Sequence, residues 1–374
     1  AKKHPILHLA MEISSGNNAT LFDHNSDDDP DAVSPAIAAR YVITTQAYAI
    51  GFGVSHAGAH FSDSTIIRGV TIMALGNTLF ETLALNLLPR PDLEKGKPIW
   101  EQESPAKPNK DGNPVKGYLD YMTWQRRNIH LFSEGDSPRV HYCQIQQNLK
   151  LPKQSVLDPF KCYRKDEKKG LVPLGINPER AIWRDSHSLF QTVDDSFKRP
   201  DVFNWLARIE NRRRDGEIQA RSSYSFTATG LATDPGKAGS VLLWRHERLP
   251  LPLKYLEDDY LIGALKEALD MAEERTGAAR ALNRAAWNLA RLLIVPEVEV
   301  QKLNKNQKSE IEKLVDSLAP ARPYWAQLGI SFNELVTRLP ADKSGENEYG
   351  KTVLPWWAGK VRQSARDAFN ETTG

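Results

Sequence analysis

The side chains best spaced for metal chemistry are His56, His60 and Asp63. On a helix their i, i+4, i+7 spacing would bring three ligands to one face, where a divalent ion could activate water for phosphate-ester hydrolysis. Gly51, Gly53 and Gly58 lie in or beside the same stretch, and so many glycines argue for a polar loop instead of a regular helix. The run Asp27-Asp28-Asp29-Pro30-Asp31 is rich in oxygen ligands. It lacks the alternating spacing, central glycine and closing glutamate of a calcium loop, and reads as a solvated charge run.

Two further stretches could meet phosphate. "GLATDPGKAGS" (230–240) is reminiscent of a nucleotide-binding loop, but five residues separate Gly230 from Gly236. Ala238 stands where a magnesium-holding hydroxyl belongs, and a strand pattern follows instead of a helix, so nucleotide hydrolysis is excluded. What remains is a turn tipped by Lys237, either an ordinary hairpin end or a basic finger reaching a phosphate or a base step. "KRPDVFNWLARIENRRRDGEIQAR" (198–221) gathers Arg212, Arg213 and Arg214, diluted by Asp201, Glu210, Asp215 and Glu217. It reads either as a solvated helix end or as a phosphate contact. There is no nucleophile elbow, Cys–His pair of known spacing or kinase signature.

The elements that must position these groups fall into two parts. The 374 residues exceed one ordinary small domain, and 40% hydrophobic with 26% charged residues is the composition of a globular chain with a real core. No stretch approaches a membrane span in length and hydropathy, and the opening residues do not read as a secretory leader. Two widely spaced cysteines, Cys143 and Cys162, make neither a disulfide framework nor a zinc knuckle and fit a reducing cytoplasm. A net charge of +2 neither demands nor excludes nucleic acid.

Ser34-Pro35 predicts the start of a helix that Gly51 should end in a left-handed conformation. "TIIRGVTIM" (65–73) reads as a strand followed by a helix around 76–87. "SVLLWRHERLPLPL" (240–253) reads as a strand running into a proline-punctuated linker. After Leu253 amphipathic helices dominate, closed by Gly277, Pro296 and Pro320, with a short helical stretch around Phe332 and a last helix over 354–370. The expectation is an α+β chain with a mixed α/β globular domain over 1–252 and a helical bundle over 253–374.

One polar segment, "EISSGNNATLFDHNSDDDPDAVSPAIAARY" (12–41), carries a Leu21-Phe22 pair in otherwise hydrophilic surroundings. From the residues alone, Phe22 would tuck back onto its own domain.

Seven segments in order resemble the CasA family, the large subunit of the type I-E CRISPR surveillance complex Cascade. They are "SGNNATLFDH" (15–24), "AIGFGVSHAG" (49–58), "KPIWEQE" (97–103), "GYLDYMTWQRRNIHLF" (117–132), "DPFKCYRKDEKKGLVPL" (158–174), "ERAIWRD" (179–185) and "TGLATDPGKAGSVLLWRHERLPLP" (229–252). The resemblance covers essentially the whole chain and implies that an N-terminal portion of the family's usual length would be missing from it.

The resemblance implies a non-enzymatic protein without cofactor or metal, in which a four-helix bundle follows the mixed domain. Its partners would be the other Cascade subunits, the 5′ handle of the guide RNA, double-stranded target DNA and a helicase–nuclease recruited after target binding. It implies that Asn18, Phe22, Asp23 and His24 belong to a loop that docks on the neighbouring subunit and the guide handle, where Phe22 could stack on an unpaired base. It also implies that Gly51, Phe52 and Gly53 approach the minor groove beside the target, which offers few donors and suits bare backbone as a reader. Val54 stands where some relatives have another glycine. Lys237 and Ala238 match the hairpin that splits the first base pairs, without the glutamine some relatives carry, and Lys161 matches a lysine that touches the adjacent motif. The rival reading is a metal-dependent nuclease or phosphohydrolase on His56, His60 and Asp63.

Overall fold

The computed structural model describes residues 2–10, 32–51, 53, 60–64, 66–67, 69–89, 94–103, 107–109, 111–152, 157–191, 197–234 and 240–374. In chain order, β1 (His4–Pro5) precedes α1 (Pro35–Tyr48), β2 (Thr71–Leu75), α2 (Leu79–Leu85) and α3 (Tyr118–Met122). Next come β3 (Arg127–Ser133), β4 (Val140–Gln147), β5 (Tyr163–Asp166), β6 (Gly170–Pro173), α4 (Ser186–Phe190) and β7 (Phe197–Lys198). Then follow α5 (Asp201–Arg214), β8 (Ser223–Thr233) and β9 (Val241–Pro252). Five helices complete the chain: α6 (Asp259–Ala272), α7 (Ala278–Ile294), α8 (Lys305–Leu318), α9 (Ala321–Arg338) and α10 (Val353–Thr373). The fold is α+β, as the sequence reading has it.

The strands form three small antiparallel sheets, ordered β1-β4-β3, β2-β8-β9 and β6-β5-β7. The β8–β9 hairpin is the longest pairing, with Ser223 opposite Pro252 at its base and Thr233 opposite Val241 at its far end. Pro250 and Pro252 belong to the strand and not to a linker. β9 is an edge strand, so each proline can turn its missing N–H away from β8.

α1 begins as expected: the Ser34 side chain accepts the Ile37 N–H, and Pro35 occupies the first turn. Its end differs from the expectation. The helix stops at Tyr48 because Ala49 turns extended, at φ −66° and ψ 129°, two residues before Gly51. Gly51 has no left-handed backbone; Gly53 has, at φ +83°. The strand expected over 65–73 is shorter and later, at Thr71–Leu75, and α9 is a full helix of 18 residues.

One apolar cluster runs from the β2-β8-β9 sheet into the C-terminal helices. Ile72, Phe226 and Leu251 join Phe190, Phe203 and Tyr255, and these continue into Leu265, Leu328, Phe332 and Trp357. Of the C-terminal helices, α6, α7, α9 and α10 contribute to it. α8 instead covers the C-terminal half of α7 through a separate cluster of Ala290, Leu303 and Ile311. Half-buried polar contacts flank this apolar junction between sheet and helices. The Glu247 carboxylate on β9 accepts the N–H groups of Ile182 and Trp183. Arg184, stacked 3.5 Å over the Trp325 ring, holds Glu273 at 2.7 Å.

Candidate nucleic-acid interface

The segment after α1 is closed at its base by backbone and side-chain bonds. Ser64 N–H donates to Ala49 C=O at 2.8 Å, Ile66 N–H to Ala47 C=O at 3.0 Å, and Phe61 N–H to Gly53 C=O at 3.1 Å. Gly51 N–H donates to Asp63 Oδ1 at 2.7 Å. Gly51 must be glycine because the two arms nearly touch: a Cβ there would stand 2.6 Å from the Asp63 nitrogen and 2.8 Å from the Ser62 carbonyl carbon. Gly53 is exposed, with open space where a Cβ would be, so its backbone faces outward.

Arg127, at the start of β3, braces this base from below. It is 3% exposed, donates through Nη2 to Ile50 C=O at 3.1 Å and through Nη1 to Gln147 Oε1 at 3.3 Å, and lies 4.7 Å from the Phe61 ring centroid. Burial first, and Arg126 second, lower its pKa to about 10, against the opposing field of Asp63. Gln147 Oε1 also accepts Ser62 N–H at 2.7 Å, and Gln46 Oε1 accepts the N–H groups of both Arg126 and Arg127. None of Arg127, Gln46 or Gln147 stood out in the sequence, because an arginine of an alternating strand carries no sign that it faces inward. The Arg126-Arg127 pair after an aromatic-rich helix was the available hint.

Two of the expected regions meet. Tyr48, at the end of α1, packs edge to face on Trp244 of β9, centroids 5.2 Å apart and planes at 71°. The C-terminal end of α1, three residues before Gly51, therefore lies against β9 near the far end of the described hairpin, where Asp234 N–H donates to Ser240 C=O. Lys237 and Ala238 themselves lie outside the described residues, as do Asn18, Phe22, Asp23, His24, Phe52, Val54 and His56.

The other candidates are placed differently. Lys161 is 5% exposed, bridges backbone to backbone with Thr71 of β2, and donates its N–H to Asp158 C=O. Its side chain belongs to the interior, whereas a DNA contact needs an exposed ammonium. The arginine cluster at the end of α5 is neutralised locally: Arg212 pairs with Glu217, Arg213 with Glu210 and Arg214 with Glu257. His60 is exposed, and Asp63 is used by Gly51. No group of three His, Cys, Asp or Glu suited to a metal occurs among the described residues. Burial pushes the thiols of Cys143 and Cys162 up to about 12, so both stay protonated. No described helix is long and apolar enough to cross a membrane.

A family model described as CRISPR-associated protein Cse1 matches residues 3–368. The CRISPR-associated protein CasA/Cse1 of Thermus thermophilus is 29% identical over 375 residues, covering 97% of this chain and 69% of its own. A crystal structure of Thermus thermophilus CasA superimposes with a TM-score of 0.76 at 25% identity, over 100% of this chain and 71% of that one. The Cse1 structure from Acidimicrobium ferrooxidans shares the fold at a TM-score of 0.74 and 21% identity, over 100% and 71%. A chain of a structure described as a CRISPR RNA-guided surveillance complex shares it at 0.67 and 18%, over 100% and 75%.

Proposed function

Because the chain belongs to the CRISPR-associated protein Cse1 family, we propose that it is the large subunit of a type I-E CRISPR surveillance complex. In this reading it is a non-enzymatic subunit that reads the short motif beside a DNA target, helps open the duplex and offers a landing surface to a helicase–nuclease. The observation that supports the DNA-reading part is the Tyr48–Trp244 contact, which joins the end of α1, just before the glycine segment, to β9 of the hairpin. The physics fits a two-part reader. Outward-facing backbone at Gly53 can approach the floor of a narrow groove where a side chain would be excluded. The neighbouring hairpin carries Lys237, whose charge suits a phosphate next to the first separated base pair. Arg127 and Asp63 act as positioning residues that fix the base of the glycine segment.

The segment with Asn18, Phe22, Asp23 and His24 is proposed to dock on the neighbouring subunit and the guide handle. Phe22→Ala should reduce co-purification with the complex without changing the melting temperature; unchanged co-purification removes that role.

The deciding experiment is binding of the reconstituted complex to duplexes that share the guide-matched target and differ only in the adjacent motif. The wild-type protein should discriminate sharply among a randomised motif library, and Gly53→Asp should flatten the preference by placing a carboxylate against an already negative groove. An unchanged preference in Gly53→Asp would show that this segment does not read the motif.

A further inference from the structure

A hairpin set between two DNA strands must let each strand run past one of its sides. One side of the β8–β9 hairpin is filled by the core: strand alternation turns Ile72, Phe226 and Leu249 into the apolar cluster. The opposite face is made by positions 71, 73 and 75 of β2, 225, 227, 229 and 231 of β8, and 244, 246 and 248 of β9. None of these residues is an aspartate or glutamate. Trp244 is 46% exposed and Met73 43%, and His246 and Arg248 are exposed beside them. Trp244, His246 and Arg248 follow one another at every second position of β9, a step of about 7 Å.

Arg248 is held in place without being neutralised. Its Nε and Nη2 donate to the Ser225 hydroxyl at 3.2 and 3.1 Å, and no carboxylate pairs with it among the described residues. The bond steadies the guanidinium over the sheet and leaves its charge for an anion that arrives from outside. Arg245, on the opposite face of the same strand, is already spent: it lies 3.2 Å from Glu247 and donates to Pro178 C=O at 2.7 Å.

The mixture of groups selects unpaired over paired DNA. A closed duplex keeps its bases stacked inside and would set only its charged backbone against an open indole and thioether. An unpaired strand brings a phosphate for Arg248 and base faces that can cover Trp244, His246 and Met73, the combination of cation and ring that single-strand tracks use. We propose that the outer face of the β2-β8-β9 sheet carries the strand left unpaired when the duplex opens, with Arg248 on a phosphate and Trp244 and His246 against bases. The proposal rests on the DNA-reading role and extends it from the motif to the separated strand.

The test measures binding of the reconstituted complex to two DNAs over a range of salt. One carries a guide-matched target and opens; the other has the same motif beside a target mismatched to the guide and stays closed. Arg248→Ala should flatten the log–log salt dependence by about 0.7 on the opening DNA, the single-strand value for one phosphate, and leave the closed DNA unaffected. Arg248→Lys keeps the charge and should restore the slope. Arg248 is exposed and its side chain bonds only Ser225 among the described residues, so both variants should keep the melting temperature. In the wild-type complex, 4-thiothymidine placed in the unpaired stretch should cross-link to the peptide that carries Trp244 and His246, and only when the DNA opens. A slope unchanged by Arg248→Ala would overturn the assignment, as would equal flattening on both DNAs, which marks a duplex contact, or absence of the cross-link. Motif preference of the wild-type complex is read separately. Its loss would fail the DNA-reading role, whereas an unchanged slope in a complex that does discriminate fails this inference alone.

Discussion

Tyr48 and Trp244 meet edge to face, with ring centroids 5.2 Å apart, although 196 positions separate them in the sequence. The contact joins the C-terminal end of α1 to the β8–β9 hairpin. Such pairs contribute about 0.5–1.5 kcal/mol beyond area burial. A double-mutant cycle with Tyr48→Leu and Trp244→Leu should return a coupling energy in that range by denaturant unfolding. In the reconstituted complex each single change should weaken motif discrimination. Zero coupling would mean that the rings touch without holding the two segments together.

The two glycines should separate by mechanism. Gly51→Ala forces a Cβ into the backbone of Ser62 and Asp63 and should cost about 1–3 kcal/mol. Gly53→Ala meets open space, so only the φ of +83° opposes it, at about 1 kcal/mol. Thermal melts of both variants decide the order; equal losses would contradict the tight approach at Gly51.

Arg127→Met keeps bulk but removes the donors to Ile50 C=O and Gln147 Oε1. The loss should be about 1–3 kcal/mol, the cost of buried acceptors losing their partner. Hydrogen exchange at the Phe61 and Ser62 amides should accelerate more than exchange within α10. Uniform acceleration everywhere would reduce Arg127 to a general stability residue.

Acid should loosen the seam between the sheet and the helical part. Burial pushes the Glu273 carboxyl up, but hydrogen bonds from Arg184 and Arg180 outweigh it and bring the pKa below the ordinary 4.5. A carboxylate depressed on folding adds stability above its unfolded pKa, and that stability is lost as pH falls through the folded value. Wild-type protein should therefore lose stability below about pH 4.5, and Glu273→Gln should show a shallower decline there with lower stability at pH 7. Parallel pH–stability curves for the two proteins would exclude Glu273 as the titrating group.

Salt should separate the two basic regions. If Lys237 holds a phosphate, Lys237→Ala should flatten the log–log dependence of DNA affinity on salt by about 0.9. Arg212→Ala should leave the slope unchanged, because Glu217 already pairs with that guanidinium at 2.9 Å. The reverse result would move the phosphate contact to α5.

The sequence reading misplaced Gly51 for a definite reason. Glycine after a helix is usually read as a left-handed stop, yet here Ala49 ends the helix in extended backbone and Gly51 is needed for a close crossing 12 residues on. Close approach of two backbone arms leaves no local mark other than the glycine itself. The prolines of β9 misled in the same way. Pro250 and Pro252 signal a linker locally, but an edge strand accepts them.

By itself the sequence determined the α+β composition, the start of α1, the succession of amphipathic C-terminal helices and, through seven ordered segments, the family. These depend on local propensity, periodicity and capping, which are written into neighbouring residues. Only the tertiary structure decided which charges are free. The three arginines at the C-terminal end of α5, Arg212, Arg213 and Arg214, are each paired with a carboxylate, Lys161 is buried, and Arg127 is the internal brace of the glycine segment. Charge in a sequence has no address. Whether a guanidinium meets a phosphate, a carboxylate or a backbone carbonyl depends on which distant element the fold brings within about 3 Å of it.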